Sequence, residues 1–225
     1  MQDLRDSQKG RPGGVRIVKI DPADPTPVLE EAAGVLKSGG LVAYPTESFY
    51  ALGADALNPE AVRKVFDVKG RSEAKPLPVI VHEKSIISLL TRELSPLAHG
   101  AVEMLMPGPV TLVFWASEAV PEGLTGGTSK IGIRLPVHEV ASGFARALGG
   151  PVTATSANLS GLPGLTTAKE VISSLPGIDL VLDGGTTPGA PASTIVDLTC
   201  DPPRILREGR VAKAIIVELL ARVKT

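Results

Sequence analysis

The chain of 225 residues contains very little cysteine and no long apolar run. Its single cysteine, Cys200, excludes an intrachain disulfide, so nothing argues for an oxidising compartment. No hydrophobic stretch approaches the ~18 residues that a membrane span requires. The amino-terminal residues are polar and lack the apolar segment of a secretory signal. We therefore expect a cytoplasmic protein without a membrane partner.

Aromatic residues are also scarce, since the chain holds 4 Phe, 2 Tyr and 1 Trp, and its formal net charge is −1. Proteins that bind single-stranded RNA usually combine stacking aromatic side chains with a basic track. This composition weakens a dedicated nucleic-acid role without excluding it. A non-catalytic RNA-binding module in tRNA or rRNA maturation therefore stays open as an alternative.

The familiar catalytic and nucleotide-binding motifs are missing. His82, His99 and His138 stand far apart in the sequence and lack the spacing of metal ligands. The chain has no Walker glycine loop and no dinucleotide-binding fingerprint. Any nucleotide must be bound by other means.

Strand-like and helix-like segments alternate along the chain, which predicts the α/β class, or α+β by some schemes. We expect a single layered domain over residues 15–225, with helices flanking one twisted, mixed sheet, and a flexible arm over residues 1–14. The predicted strands cover residues 15–20, 41–44, 77–81, 110–115, 131–135, 151–155, 180–182, 194–198 and 205–207. The predicted helices cover residues 26–38, 59–69, 83–92, 96–106 and 138–148, with further helices after residues 167 and 212.

Basic residues cluster where the helix over residues 59–69 ends. From Arg63 to Lys75 there are five basic residues against two acidic ones, a local net charge of +3. A basic pocket in a faintly acidic chain favours a compact polyanion such as a triphosphate. The alternative is a run of solvated charges that suit the helix dipole.

Further cations and small polar side chains follow predicted strands, where they are expected to converge on one crevice at the sheet edge. Arg134 lies among apolar neighbours and needs an anionic partner, because a half-buried guanidinium without one is costly. The residues concerned are Thr46, Lys69, Arg71, Lys75, Arg134, Ser156, Asn158, Ser193 and Arg207.

Several short motifs occur in a characteristic order between about Gly39 and Val211. They are Pro45-Thr46-Glu47, Lys69-Gly70-Arg71 with Lys75-Pro76-Leu77, Pro107-Gly108-Pro109-Val110-Thr111, Arg134 with Pro136, Ser156-Ala157-Asn158, Ser193-Thr194-Ile195 and Arg207 with Gly209. In this order they resemble the YrdC-like threonylcarbamoyl-adenylate synthases, in the short form without an additional C-terminal domain. A different carbamoylating enzyme built on the same domain is a further alternative.

The resemblance implies a YrdC-like fold and a nucleotidyltransferase that joins L-threonine, bicarbonate and ATP into threonylcarbamoyl-AMP, with release of pyrophosphate. Mg²⁺ would enter on the ATP phosphates, with no metal site built from protein alone. Downstream proteins would transfer the threonylcarbamoyl group to adenosine 37 of tRNA, which the chain itself would bind weakly if at all.

The resemblance also implies roles for individual residues. The catalytic residues would be Lys69, Arg71, Ser156 and Asn158. ATP would be bound by Arg71, Lys75, Lys130, Ala154, Ser156 and Arg207, and threonine by Thr46, Arg134 and Ser193. The sequence departs from the family pattern at Ile80, where a histidine is common, at Lys130, where a threonine is common, and at Gly164, where a serine is common.

Overall fold

A computed structural model of the chain describes residues 14–223. The predicted N-terminal arm, residues 1–14, lies outside the described residues except for Gly14, so its flexibility stays a prediction. None of the helices between residues 14 and 223 is long and apolar enough to cross a bilayer.

The described residues form strands and helices in alternation, which confirms the α/β class. The strands are β1 (Arg16–Lys19), β2 (Val42–Pro45), β3 (Tyr50–Gly53), β4 (Val79–Ile80), β5 (Val110–Trp115), β6 (Lys130–Arg134), β7 (Val152–Thr153), β8 (Thr155–Ser156), β9 (Leu180–Asp183), β10 (Thr194–Asp197) and β11 (Arg204–Arg207). The helices are α1 (Thr26–Lys37), α2 (Pro59–Lys69), α3 (Ser85–Leu90), α4 (Pro96–Leu105), α5 (Glu122–Thr125), α6 (Glu139–Leu148), α7 (Ala168–Ser174) and α8 (Lys213–Val223).

The strands form two mixed sheets, where the sequence suggested one. The first sheet has the order β1-β9-β2-β3-β8, and the second has the order β11-β10-β5-β6-β4-β7. Parallel and antiparallel neighbours occur in both sheets. The prediction of a single sheet was wrong, because strand pairing is set by contacts between distant segments that the local pattern does not record.

One short segment belongs to both sheets. The sequence predicted one strand over residues 151–155, but Ala154 interrupts it and donates its N–H to the carbonyl of Pro78 (2.8 Å). On one side of this break, β7 pairs with β4 of the second sheet, and on the other side β8 pairs with β3 of the first. Thr153 also binds across to Ala54, through its N–H (3.0 Å) and its hydroxyl oxygen (2.9 Å). The sheets are therefore joined at this point.

Helix α2 begins and ends where the sequence predicts. The Asn58 side chain accepts hydrogen bonds from the N–H groups of Glu60 (3.0 Å) and Ala61 (3.2 Å), and Pro59 occupies the first turn. Gly70 ends the helix in the left-handed conformation, with φ of +55°. This turn sends the following residues away from the helix axis and toward the neighbouring sheets.

The hydrophobic core has two parts. The larger part includes Phe66, Leu112 and Ile133 and packs helices α2, α4 and α8 with strands of the second sheet. The smaller part lies under α1 and α6, where the rings of Tyr44 and Phe144 are 5.1 Å apart. Together these contacts fix the strand ends that carry the predicted polar side chains.

Candidate active site

A cleft with a volume of about 270 Å³ is lined by residues from both sheets. Of the eleven site residues predicted from the sequence, seven line it. These are Thr46, Arg71, Arg134, Ala154, Ser156, Ser193 and Arg207. They come from segments spread over 162 positions of the chain, so the fold brings together side chains that the sequence separates widely.

The cleft is positively charged. Its lining includes Arg71, Arg134 and Arg207, against a single carboxylate, that of Glu47. These groups give the lining a formal charge of +2, in a chain whose total is −1. A concave surface of this sign attracts compact anions.

Arg71 enters the cleft from the turn after α2. Its Nη2 donates to the carbonyl of Pro76 (3.0 Å), which fixes the guanidinium against its own loop. Partial burial lowers the pKa of Arg71, but an arginine stays charged at any physiological pH. The guanidinium is thus a cation held in place in the wall of the cleft.

Lys69, two residues earlier, is buried instead, with only 2% of its surface exposed. Its ammonium donates to the main-chain carbonyls of Ser156 and Asn158, the second at 2.7 Å. Burial, with the charge of Arg71 as the smaller contribution, lowers the pKa of Lys69 to about 8. Lys69 does not line the cleft; it ties the end of α2 to the loop that carries Ser156.

Asn158 is also buried and does not line the cleft. Its side-chain amide donates to the carbonyls of Leu159 (2.9 Å) and Leu162 (2.5 Å), which closes the loop after β8. Lys69 and Asn158 therefore act on the same loop from two sides. The catalytic roles that the resemblance implies for them stay predictions, and their contacts are with the main chain.

Arg134 has the anionic partner that the sequence pattern requires. Its Nη2 donates to the Oε1 atom of Glu47, and its Nε donates to the carbonyl of Gly108 (3.0 Å). Both side chains of the ion pair are largely buried, with 12% and 18% of their surfaces exposed. The second carboxylate oxygen of Glu47, Oε2, is buried and has no hydrogen-bond partner among residues 14–223.

A hydroxyl pair and an arginine form another part of the lining. The hydroxyls of Ser193 and Thr111 are 2.7 Å apart, and Arg207 donates from Nη2 to the main-chain carbonyl of Ser193 (2.8 Å). Burial lowers the pKa of Arg207, as it does that of Arg71. The register of β10 between β5 and β11 explains why these side chains meet.

Thr46 shapes the loop between β2 and β3. Its hydroxyl donates to the carbonyl of Phe49 (2.7 Å) and accepts from the N–H of Ser48 (3.2 Å). The Phe49 ring lies against Gly164, where a Cβ atom would come within 2.6 Å of the ring. This contact explains why position 164 carries no side chain in this protein.

Besides Lys69, two further predicted cations lie outside the cleft. Lys75 is exposed in the loop that precedes β4. Lys130 begins β6, at the far end of that strand from Arg134, where its ammonium binds Asp197 (2.9 Å) and lies 5.1 Å from the centre of the Trp115 ring. Their roles in ATP binding stay predictions, and the structure gives Lys130 other partners.

Glu47 and Thr111 line the cleft but were not predicted as site residues, although both lie within the short sequence motifs. A signal for Glu47 was present, because a half-buried Arg134 needs an anion and Glu47 follows a strand next to the predicted threonine ligand Thr46. No comparable signal identified Thr111. It lies within a buried strand, and its hydroxyl partner is 82 residues away.

Comparison with known proteins identifies the family. A model of the Sua5/YciO/YrdC family, described as telomere recombination, matches residues 34–209, which include all seven predicted residues in the cleft. The chain belongs to the Sua5/YciO/YrdC family. The resemblance noted in the sequence is thus confirmed.

Members of the Sua5/YciO/YrdC family from other organisms illustrate the match. Threonylcarbamoyl-AMP synthase of Pyrococcus abyssi is 38% identical over 194 residues, which cover 86% of this chain and 57% of that protein. The crystal structure of P. abyssi Sua5 complexed with L-threonine matches with a TM-score of 0.86 at 36% identity, over 90% of this chain and 60% of that one. Escherichia coli YciO matches with a TM-score of 0.81 at 26% identity, over 90% of this chain and 98% of that one.

The chain spans little more than half the length of the first curated Sua5/YciO/YrdC relatives, 57% of the P. abyssi protein and 55% of the Bacillus subtilis protein. The matched part contains the whole lining of the cleft from Tyr44 to Arg207. Family membership and fold are therefore shown for the part of the chain that carries the candidate site.

Proposed function

We propose that the chain is an L-threonylcarbamoyladenylate synthase, a nucleotidyltransferase that makes threonylcarbamoyl-AMP and pyrophosphate from L-threonine, bicarbonate and ATP. The observation that carries the proposal is the cationic cleft, in which Arg71, Arg134 and Arg207 meet small hydroxyl side chains within the matched family region. Relatives named threonylcarbamoyl-AMP synthase, at up to 38% identity, support it.

In the proposed reaction the protein supplies no nucleophile of its own. The amine of threonine condenses with bicarbonate to a carbamate, as a C–O bond of bicarbonate breaks and water leaves, and a carbamate oxygen then attacks the α-phosphorus of ATP as pyrophosphate leaves. Catalysis then depends on positioning and on neutralising the charge of the phosphates. Arg71, Ser156 and Arg207 would bind the nucleotide, while Thr46, Arg134 and Ser193 would bind threonine.

Lys69 and Asn158 would contribute by fixing the loop that carries Ser156. The ammonium of Lys69 binds two carbonyls of this loop, and the amide of Asn158 binds two more. A rigid loop places the Ser156 hydroxyl at a constant distance from Arg71 across the cleft, which is the condition for phosphate binding without reorganisation. We assign both residues to positioning.

Mg²⁺ would enter the cleft on the phosphates of ATP. The metal prefers oxygen ligands and usually keeps several waters, so it needs few protein ligands. Within residues 14–223 no three acidic, histidine or cysteine side chains cluster in a way that could hold a metal. The hydroxyls of Ser156 and Ser193 in the lining fit a metal of this kind, which would supply further neutralisation of the phosphate charge.

The product would serve tRNA modification. We place the enzyme in the cytoplasm, where ATP, bicarbonate and threonine are available and where transfer proteins would carry the threonylcarbamoyl group to adenosine 37 of tRNA. Direct binding of tRNA by this chain would be weak, because its net charge is −1 and its cleft is small.

The test is release of pyrophosphate from ATP by the purified chain, measured with and without L-threonine and with and without bicarbonate. We expect release only when both are present, together with a product of the mass of threonylcarbamoyl-AMP. A related synthase assayed in parallel shows that the conditions support the reaction. Absence of release under those conditions, or release that ignores threonine, would overturn the proposal.

A further inference from the structure

The second carboxylate oxygen of Glu47 is the unusual atom of the cleft. Oε1 binds Arg134, but Oε2 is buried and receives no hydrogen bond from any residue between 14 and 223. A buried acceptor without a donor costs free energy, and the cost is larger for a charged group. A ligand that donates to Oε2 would recover it.

The sign of this group is informative. Glu47 is the one acidic residue among the residues that line the cleft in the described part of the chain, where Arg71 and Arg207 suit an anion. A carboxylate repels phosphate groups, so Oε2 does not contact the phosphates of the nucleotide directly. Its complement is a cationic or neutral N–H group.

The hydrogen bonds of the neighbouring protein groups go to atoms other than Oε2. The Tyr44 hydroxyl donates to the carbonyl of Thr153 (3.2 Å), and His138 accepts the N–H of Ala141 at Nδ1 (3.4 Å). Burial lowers the pKa of His138, which favours its neutral form. Arg210 binds the main-chain carbonyl of Glu47 (3.2 Å), not its carboxylate.

Arg134 retains donors of its own beside this oxygen. A guanidinium has five N–H groups, and the structure uses Nη2 for Glu47 and Nε for the carbonyl of Gly108 (3.0 Å). The cleft thus presents an acceptor and a donor side by side. This arrangement is complementary to the zwitterion of an α-amino acid, whose ammonium and carboxylate are attached to the same carbon.

We propose that Glu47 binds the amino group of the amino-acid substrate through Oε2, while Arg134 binds its carboxylate. This assignment rests on the proposed function and adds the group that selects an amino acid over a hydroxy acid. A carboxylate oxygen accepts a hydrogen bond from an ammonium and from a neutral amine alike. Glu47 therefore orients the nitrogen both when the substrate binds and when the amine is ready to react.

The experiment compares two ligands by calorimetry without ATP and without a divalent metal. L-Threonine is the first ligand, and 3-hydroxybutanoate is the second, because it keeps the carboxylate and hydroxyl and lacks the amine. Weak binding of the second ligand is measured by competition. In wild-type protein we expect threonine to bind at least about tenfold more tightly, because the analogue leaves Oε2 without a donor.

The decisive variant is Glu47→Gln. We expect it to weaken threonine binding by about 10- to 100-fold without weakening the binding of 3-hydroxybutanoate, so that the preference for the amine disappears. ATP binding and the unfolding midpoint report on the integrity of the fold. Glu47→Asp, which retracts the carboxylate and keeps its charge, tests the same preference if the glutamine variant does not fold.

The matched control is Asp197→Asn, which removes the carboxylate of the other β6 ion pair, away from the cleft. It should leave the ratio of the two affinities at the wild-type value. If Glu47→Gln weakens both ligands equally, or neither, Glu47 serves only to orient Arg134 and the proposal is wrong. The proposal is equally wrong if wild-type protein binds threonine only in the presence of Mg²⁺ and the Glu47→Gln variant binds it without the metal. In that case Glu47 faces the metal ion and not the amine.

The experiment separates this proposal from the proposed function. If wild-type protein binds another α-amino acid instead of threonine, with the same dependence on Glu47, the amine site stands and the threonine-specific function fails. If threonine binds with the expected dependence and no pyrophosphate is released, the amine site again stands alone. If no α-amino acid binds with or without ATP, both are overturned.

Discussion

Strand β6 carries an ion pair at each end, and the two pairs differ in how completely they are satisfied. Lys130 at the start binds Asp197 and lies over the Trp115 ring. The Asp197 Oδ1 atom accepts from both the N–H (2.9 Å) and the hydroxyl (2.5 Å) of Thr199, so both carboxylate oxygens have partners. Arg134 at the other end binds Glu47, whose second oxygen has none among the described residues.

The difference distinguishes a carboxylate that is fully satisfied within the protein from one that has an oxygen left to accept a ligand. A carboxylate with all its acceptors used can contribute to stability but has nothing left for a ligand. A carboxylate with a buried free oxygen weakens the apo fold locally, and the loss is recovered on binding. The two cations at the ends of the five-residue strand β6 thus form similar ion pairs that point to different roles.

The largest effect is expected from removing the cation at each end of β6 in turn. Arg134→Ala should lower threonine-dependent pyrophosphate release by about 100- to 1000-fold, the loss typical of one well-placed charged group in an active site. Lys130→Ala should retain activity within about threefold of wild type, because the partners of Lys130 lie outside the cleft, and a larger loss would favour the ATP-binding role that the resemblance implies. Steady-state rates at saturating ATP measure both. Equal losses would show that the two ends do not differ in role.

A similar contrast is expected between Lys69 and Arg71: replacing Lys69 should lower stability, whereas replacing Arg71 should lower activity. Lys69→Met leaves the carbonyls of Ser156 and Asn158, the second of them buried, without their donor and should lower the free energy of unfolding by about 2–3 kcal/mol. Arg71→Ala should leave unfolding near wild type and abolish most turnover. Urea unfolding and the pyrophosphate assay on the same samples make the comparison. A fully stable Lys69→Met protein would remove the positioning role that we assign to this residue.

The smallest effect is expected in the pH dependence of stability that the Lys130–Asp197 ion pair contributes. Burial raises the pKa of Asp197, but hydrogen bonds from Thr199 and Lys130 lower it more, so the net pKa lies below its usual value. A carboxyl group whose pKa is depressed by folding stabilises the protein above the unfolded pKa, and this contribution is lost as the pH falls through the folded value. The free energy of unfolding of wild-type protein should therefore be about 1–2 kcal/mol higher than that of Asp197→Asn near neutral pH.

That difference should shrink as the pH falls below about 4, where the unfolded carboxyl becomes protonated. Urea unfolding of both proteins across this range is the measurement. A difference that stays constant down to the lowest pH at which the protein folds would show that the charge of Asp197 does not matter. Lys130→Ala should reproduce part of the effect, since it removes one of the groups that lower this pKa.

The sequence predicted the class of fold and most elements because their signals are local. The bounds of α2 follow from Asn58, Pro59 and Gly70, which act within a few residues of themselves. The division into two sheets could not be predicted in the same way. It depends on Ala154 binding Pro78 across 76 positions, and on a short strand, β3, that the sequence pattern did not reveal.

The candidate site was predicted in part for similar reasons. Residues such as Arg71 and Ser156 follow strands or helices, and that position predicts a place at the sheet edges. The burial of Lys69 was missed because its partners are main-chain carbonyls 87 and 89 residues away, which have no signature in side-chain identity. The free oxygen of Glu47 was missed because a sequence does not record how many donors reach each oxygen of a carboxylate.

The segment from Val152 to Ser156, which belongs to both sheets, has a consequence for ligand binding. Because one stretch of main chain holds the two sheets together at Ala154, the spacing between the walls of the cleft is determined when the protein folds. Substrates then find the gap already set, and little of their binding energy is lost in drawing the walls together. Affinity at this site is thus governed by which groups face the gap and much less by how far apart the sheets stand.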